Sequence, residues 1–309
     1  MGKSKVMIVG SINQDIIFSN PIKPTEVGMM FADYTLANGG KGANQASTAS
    51  KLGAESAIVG RVGNDLYGNS QLNGLKALGV NTDYVVVDEN NKTGVAYLSI
   101  KKDGTYYCDT VIGANSALNG EDVKTALQEF QPELVIMQIE MPFQTVYDTY
   151  KYASELNIPV ILDPGPAQQI DLAPLKGIFM ISPNEDETYA LTGIHPVDEK
   201  SVSEAAARLY EETNSKYIVL KLGAKGAYLL EDGKEPGMLF PPYPVNAVDS
   251  TGAGDTFTAA LGIALCEGKA ITEAIRFANA AGAICVSRRG GQPSVPTKDE
   301  VVQFLAKNC

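Results

Sequence analysis

The stretch KVMIVGS, residues 5–11, is a short, continuous apolar run that stops at glycine. A run apolar at every interior position and too short for a stable helix is the pattern of a strand buried on both faces. The pattern returns in ESAIVGRVG (55–63), ELVIMQIE (133–140), IPVILDPG (158–165), GIFMISPN (177–184) and KYIVLKLG (216–223). Between these runs lie helical stretches, among them GANQASTASKLG (42–53), YGNSQLNGLKALG (67–79), FQTVYDTYKYASELN (143–157) and SVSEAAARLYEET (201–213). Strands alternating with helices predict an α/β fold, a three-layer α/β/α sandwich around a mostly parallel sheet. In such sheets ligands collect in the crevice beyond the carboxyl ends of the strands.

Two regions break the alternation. Residues from about 16 to 38 lack helical periodicity, and TGVAYLSIKKDGTYYCDTV (93–111) reads as two strands joined at Asp103-Gly104. We expect one α/β domain over residues 1–309, with a small β-sheet lid formed by insertions at about 16–38 and 93–112. The C-terminal third turns helical, with Phe257, Leu261, Ala264 and Leu265 on one face and Phe277, Ala281 and Ile284 on another.

Composition narrows the function. The 309 residues are 44% hydrophobic, enough for one large core, and the net charge of −11 disfavours nucleic acid. No run of about 18 apolar residues is present, the N-terminal run is too short for a signal peptide, and no membrane association is expected. Cys108, Cys266, Cys285 and Cys309 form no CxxC pair and read as reduced thiols of a cytoplasmic protein. The only histidine, His195, lies in a loop, so the chemistry rests on carboxylates, lysines and backbone amides.

Two glycine-rich segments carry that chemistry. ANGGKGANQAS (37–47) looks at first like a phosphate loop, but Gly42 stands where the motif needs a hydroxyl and Thr35 where it needs glycine. GSINQD (10–15) has too few glycines for a dinucleotide fingerprint. The segment at 39–44 reads instead as a backbone opened toward a small polar ligand, with Lys41 and Asn44 supplying hydrogen bonds. Downstream, NAVDSTGAGDTFTAA (246–260) follows what reads as a short strand and opens a helix at Gly252-Ala253-Gly254. Free amides and the helix dipole then converge on one point, suited to an anion. Asp255 sits beside that point, where it can take the proton of an attacking hydroxyl.

Together, GGKGAN and DSTGAGDTF resemble the ribokinase, or PfkB, family of carbohydrate kinases. The resemblance spans essentially the whole chain and includes VGNDLYG (62–68), NEDE (184–187), KLGAKG (221–226) and GGQPSVP (290–296). It implies ATP-dependent phosphorylation of a neutral sugar, with Asp255 as base and the Gly252, Ala253 and Gly254 amides as anion hole. The sugar would be held by Asn13, Asp15, Gly40, Lys41, Gly42, Asn44 and Glu140. Two carboxylates and one lysine suit a neutral polyol better than a sugar phosphate or a purine nucleoside. The loop at 37–47 therefore serves the acceptor. Nucleotide contacts carried over from the family are Asn184, Glu187, Lys221, Gly223, Ala224, Lys225, Gly226, Gly254 and Asn279. Magnesium is expected with ATP, and potassium or a similar monovalent cation at Asp249, Thr251, Cys285, Arg288, Gly290 and Ser294. D-ribose is the expected acceptor, with 2-deoxyribose, fructose or a non-catalytic sensor role as alternatives. Family resemblance also implies a homodimer paired through the lid, with Tyr97, Tyr106 and Tyr107 covering the sugar or meeting a second subunit.

Overall fold

β1 (Lys5–Val9) is a central strand of a nine-stranded sheet in a computed structural model that describes residues 2–22, 31–100 and 106–308. The Asp103-Gly104 turn, Cys309 and the side chains of Tyr106 and Tyr107 lie outside the described residues. On one side of β1 run β4 (Glu55–Gly63) and β5 (Val85–Asp88). On the other run β8 (Leu134–Met137), β9 (Val160–Leu162), β10 (Met180–Ile181) and β11 (Tyr217–Lys221). All of these pair in parallel. β12 (Ala227–Glu231) and β13 (Met238–Phe240) complete that edge antiparallel.

Alternation along the buried strands splits the core into two layers. Val6 and Ile8 face helices α1 (Lys41–Lys51), α7 (Ala253–Cys266) and α8 (Ile271–Val286). Met7 and Val9 face α3 (Gly120–Phe130), α4 (Phe143–Glu155) and α6 (Glu199–Thr213). Both faces are covered, which is why these strands carry no polar alternation. The remaining helices are α2 (Leu66–Ala77), α5 (Glu185–Thr192) and α9 (Lys298–Asn308).

A second, four-stranded sheet has the order β3-β2-β6-β7, from β2 (Asn13–Ile22), β3 (Phe31–Gly39), β6 (Gly94–Ile100) and β7 (Tyr106–Val111). Asp15, opposite Ala37 and Ala96, marks one face of it. Ile16, Phe18, Tyr34, Leu36, Tyr97 and Val111 fall on the other by register. One local expectation fails. The segment before Gly252 is irregular over 241–247, because Pro241, Pro242 and Pro244 remove the amide donors a strand would need.

Candidate active site

The carboxyl ends of four parallel strands bring the polar groups together. Ser11, Asn13 and Asp15 follow β1, Glu140 follows β8, Asp163 follows β9, and Lys221 ends β11. α1 and α7 start at the same crevice. At Gly40 the chain turns into α1 with φ 90°, and a Cβ there would lie 2.6 Å from Asn13 N. A Cβ on Gly42 would meet the Gly10 carbonyl carbon at 2.7 Å. These glycines are also required by packing within the chain. They let the start of α1 lie flat on the chain at Gly10–Asn13, and Ala43 N–H donates to Ser11 O at 3.0 Å.

That close approach sets the side chains that follow the first glycine-rich segment. Asn44 Nδ2 donates to Asp255 Oδ2 at 2.9 Å, and Gln45 Nε2 reaches Asp255 Oδ1 at 3.4 Å and Asp163 Oδ2 at 2.9 Å. Glu140 accepts from Ser11 Oγ and from Asn13 Nδ2, the latter at 3.3 Å. Asp15 lies among carboxylates. Burial, then Glu140 and Asp255, push it up to about 7.

Asp255 is the third residue of α7, whose cap Gly252 has φ 75° and offers no side-chain hydrogen bond. Ala253 N–H is engaged by Ser250 O at 3.1 Å. The amides of Gly252, Gly254 and Asp255, which precede the first intrahelical bond from Thr256 N–H to Gly252 O, stay available to an anion. Burial raises the Asp255 carboxyl above its ordinary value and Asp163 raises it further, against the pull of Lys41, Asn44 and Lys221. Burial alone would lower Lys41, but Asp255, Glu187, Asp163 and Glu140 outweigh it and hold it charged. The Lys41 and Lys221 ammonium groups flank Glu187 at 3.8 and 3.9 Å.

Several groups in this crevice were not singled out from the sequence. Asp163, 1% exposed, accepts from Lys221 Nζ at 2.7 Å, Gln45 Nε2 and Thr258 Oγ1 at 3.1 Å. Its signal was its position at the end of a buried strand. Ser11, Gln45 and Thr258 carry no signal outside the fold.

The remaining expected nucleotide residues surround the crevice more loosely. Asn184 caps α5, its Oδ1 accepting Glu187 N–H at 2.8 Å, so its side-chain oxygen is engaged in the cap. Burial raises the Glu187 carboxyl, with Lys221 and Lys41 opposing. Gly223 and Lys225 bound the short turn between β11 and β12, with Ala224 between them. Gly226, next in the chain, leads into β12. The Lys225 ammonium turns away to Val197 O at 2.7 Å. Asn279 donates to Pro241 O at 3.3 Å, tying α8 to the proline segment. His195 is exposed and stacks on Tyr189 at 3.7 Å.

The expected cation segments lie side by side. Asp249 accepts from Thr251 N–H and Gly290 N–H, both at 2.9 Å. Burial works to raise the Asp249 carboxyl, but these donors prevail and lower it. Cys285 Sγ and Ser294 Oγ lie 3.0 Å apart, and Ser294 Oγ donates to Gly291 O. Arg288 turns its guanidinium to Glu300 at 2.6 Å, which leaves only its main chain for a cation. Oxygen donors from the main chain and one carboxylate suit a hard cation.

The sequence pattern of the pfkB family of carbohydrate kinases matches residues 3–298. The chain is 35% identical to the ribokinase of Haemophilus influenzae over 306 residues, 98% of this chain and 99% of that protein. It is 37% identical to the ribokinase of Bacillus subtilis, over 97% of this chain and 99% of that one. A deoxyribokinase of Salmonella typhi is 30% identical over 98% of this chain and 99% of its own. The solved structure of Arabidopsis thaliana ribokinase complexed with ribose and ATP matches with a TM-score of 0.89 and 34% identity, over 98% of this chain and 99% of that one. Full-length agreement in sequence and fold, with two glycine-rich segments meeting at one buried aspartate, makes this chain a member of the pfkB family of carbohydrate kinases.

Proposed function

We propose that the chain is an ATP-dependent D-ribose kinase that makes ribose 5-phosphate in the cytoplasm. The observation that carries this is the 2.9 Å contact between Asn44 of the first glycine-rich segment and Asp255 of the second. It sets a polyol site against an anion site with one carboxylate between them. Asn13, Asp15, Lys41, Asn44 and Glu140, with the main chain at Gly40 and Gly42, would hold the sugar. Its 5-hydroxyl would face Asp255. As O5 attacks the γ-phosphorus in line, Asp255 takes the hydroxyl proton and the bond to the β-γ bridging oxygen breaks, releasing ADP. Burial makes Asp255 a stronger base than a surface aspartate, while Lys41, Asn44 and Lys221 favour its ionised form. The Gly254 and Asp255 amides and the Lys41 and Lys221 ammonium groups face the growing phosphoryl charge. An amide so aimed is worth about 3–4 kcal/mol in the transition state.

Magnesium carried in with ATP would neutralise phosphate charge, and Glu187 is the carboxylate suited to hold it through water. A monovalent cation fits the main-chain oxygens at Asp249, Thr251, Cys285, Arg288, Gly290 and Ser294, where it would brace the anion hole. The small sheet would close over the sugar with its Asp15 face. Its other face, where Tyr34, Leu36 and Val111 are exposed, would pair with a second copy in a homodimer.

Ribose is favoured because the relatives and the solved neighbour are named for it. The deoxyribokinase at 30% identity supports a second reading, 2-deoxyribose. One hydroxyl separates the two sugars, and it discriminates strongly only where the site has a buried partner for it. The test is ADP release with ATP and magnesium across ribose, 2-deoxyribose, fructose and adenosine, in potassium and again in sodium. Ribose leading the panel, with faster turnover in potassium, is the expected result. Another sugar leading would overturn the acceptor, and equal rates in both salts would overturn the cation site.

A further inference from the structure

Asn115, in the short turn Gly113–Ala117 that follows the small sheet, is 1% exposed and touches the residue placed against the sugar. The two ends of an asparagine amide are nearly equal in size, so neighbours alone decide which end faces a ligand. For Asn115 the neighbours are backbone groups of opposite kind. Its Oδ1 accepts Ile12 N–H at 2.9 Å, and its Nδ2 donates to Ile112 O at 2.9 Å and Ile12 O at 3.4 Å. Turning the amide over would set N–H against N–H and oxygen against oxygen.

The same Nδ2 donates to Asn13 Oδ1 at 2.7 Å. That occupies the Asn13 oxygen and leaves Asn13 Nδ2 pointing to Glu140 Oε1 at 3.3 Å. Gly94 packs behind both amides, where a Cβ would strike Asn13 Oδ1 and Asn115 Nδ2. We infer that Asn115 is a positioning residue for sugar recognition: it locks the Asn13 amide so that the pocket offers a hydrogen-bond donor at that point. A sugar hydroxyl has one proton and two lone pairs. Asp15 and Glu140 take protons, so a pocket without the Asn13 donor would leave hydroxyl oxygens short of partners. With its amide turned over, Asn13 would also set its oxygen against the Glu140 carboxylate.

This inference rests on the sugar-kinase reading above, and a double-variant cycle separates the two. Wild type, Asn13→Ala, Asn115→Ala and the double variant are compared for the KM of ribose and of ATP. Asn115→Ala is expected to raise the ribose KM about tenfold or more, the scale of a lost hydrogen bond to a charged or buried group, with the ATP KM nearly unchanged. The double variant should be no worse for ribose than Asn13→Ala alone, because one residue acts through the other. A second cycle uses Asn115→Asp, which keeps the shape and the Ile12 N–H acceptor but removes both donors, in case the alanine variant does not fold. Additive effects, an unchanged ribose KM, or equal rises in both KM values overturn the inference. If wild type turns over a different neutral sugar, the ribose assignment falls and the cycle is read with that sugar. If it turns over none, calorimetric ribose binding by the same proteins decides, and a wild type that binds no neutral sugar overturns both.

Discussion

Asp255 and Asp15 are both raised carboxyls, yet they make opposite demands on the protein. Asp255 must be ionised to take a proton, so Asp255→Asn should lower kcat by about 10²–10⁴-fold. The KM for ribose and for ATP should move only a few-fold, and a variant with near-normal kcat would exclude Asp255 as the base. In the proposed mechanism Asp15 binds rather than reacts. With its carboxyl pushed up to about 7, acidification through that range protonates it and removes a hydroxyl acceptor. The ribose KM should therefore rise below about pH 7 while the ATP KM stays level. The effect on stability has the same origin. A raised acid favours the fold when protonated, and that contribution is lost as pH rises from its ordinary 3.8 through about 7. Asp15→Asn should melt higher than wild type at pH 8, and the gap should close toward pH 4. Each pH unit in that window is worth roughly 1.4 kcal/mol, so the gap should reach a few kcal/mol. A variant that melts no higher at pH 8 would contradict the burial of that charge. Both carboxylates were legible from their motifs. Their environment was not, since Glu140 and Asp163 approach them only across the crevice.

Between elements, the buried Asp163–Lys221 pair ties the ends of β9 and β11 beneath the anion hole. Lys221→Met would leave Asp163 with two neutral donors and without its ion-pair partner, at a cost of about 3–5 kcal/mol in chemical denaturation. Adding Asp163→Asn to that variant should recover much of the loss, and a double variant as unstable as the single would show that the pair is not the cause. Strands and helices with strong periodicity were readable along the chain. Asp163 was not, because an aspartate before Pro164 in IPVILDPG is equally at home in a surface turn. Only the register of β8, β9 and β10 carries it inward. The glycines at 40 and 42 were recognised as special, but their reason, the approach to Gly10–Asn13, belongs to the packing of α1 on β1.

For the whole molecule, the small sheet carries the proposed dimer face. Tyr34 at 66% and Val111 at 64% are exposed on the face opposite Asp15, beside the tilted ring pair of Phe18 and Tyr97 with centroids 4.5 Å apart. If two copies pair there, sedimentation should give twice the chain mass of 32.8 kDa, and Tyr34→Glu with Leu36→Glu should return it to one. A wild type that sediments as a single chain at micromolar concentration would refute the dimer. No helix among the described residues is long and apolar enough to cross a membrane.

Much of this was determined by local pattern. Continuous apolar runs could only be strands buried on both faces, and glycines at 252 and 254 before Asp255 could only open a helix with free amides. Such features depend on neighbours along the chain, so the sequence by itself specified the α/β class and singled out the carboxylate proposed as the base. Tertiary structure alone decided which amides remain free, that Asn184 is engaged as a helix cap, and that Asn115 Nδ2 holds the Asn13 amide oxygen. Those are contacts between residues far apart in sequence or settled by the exact path of the backbone. A hydrogen bond over 102 residues leaves no periodicity to read.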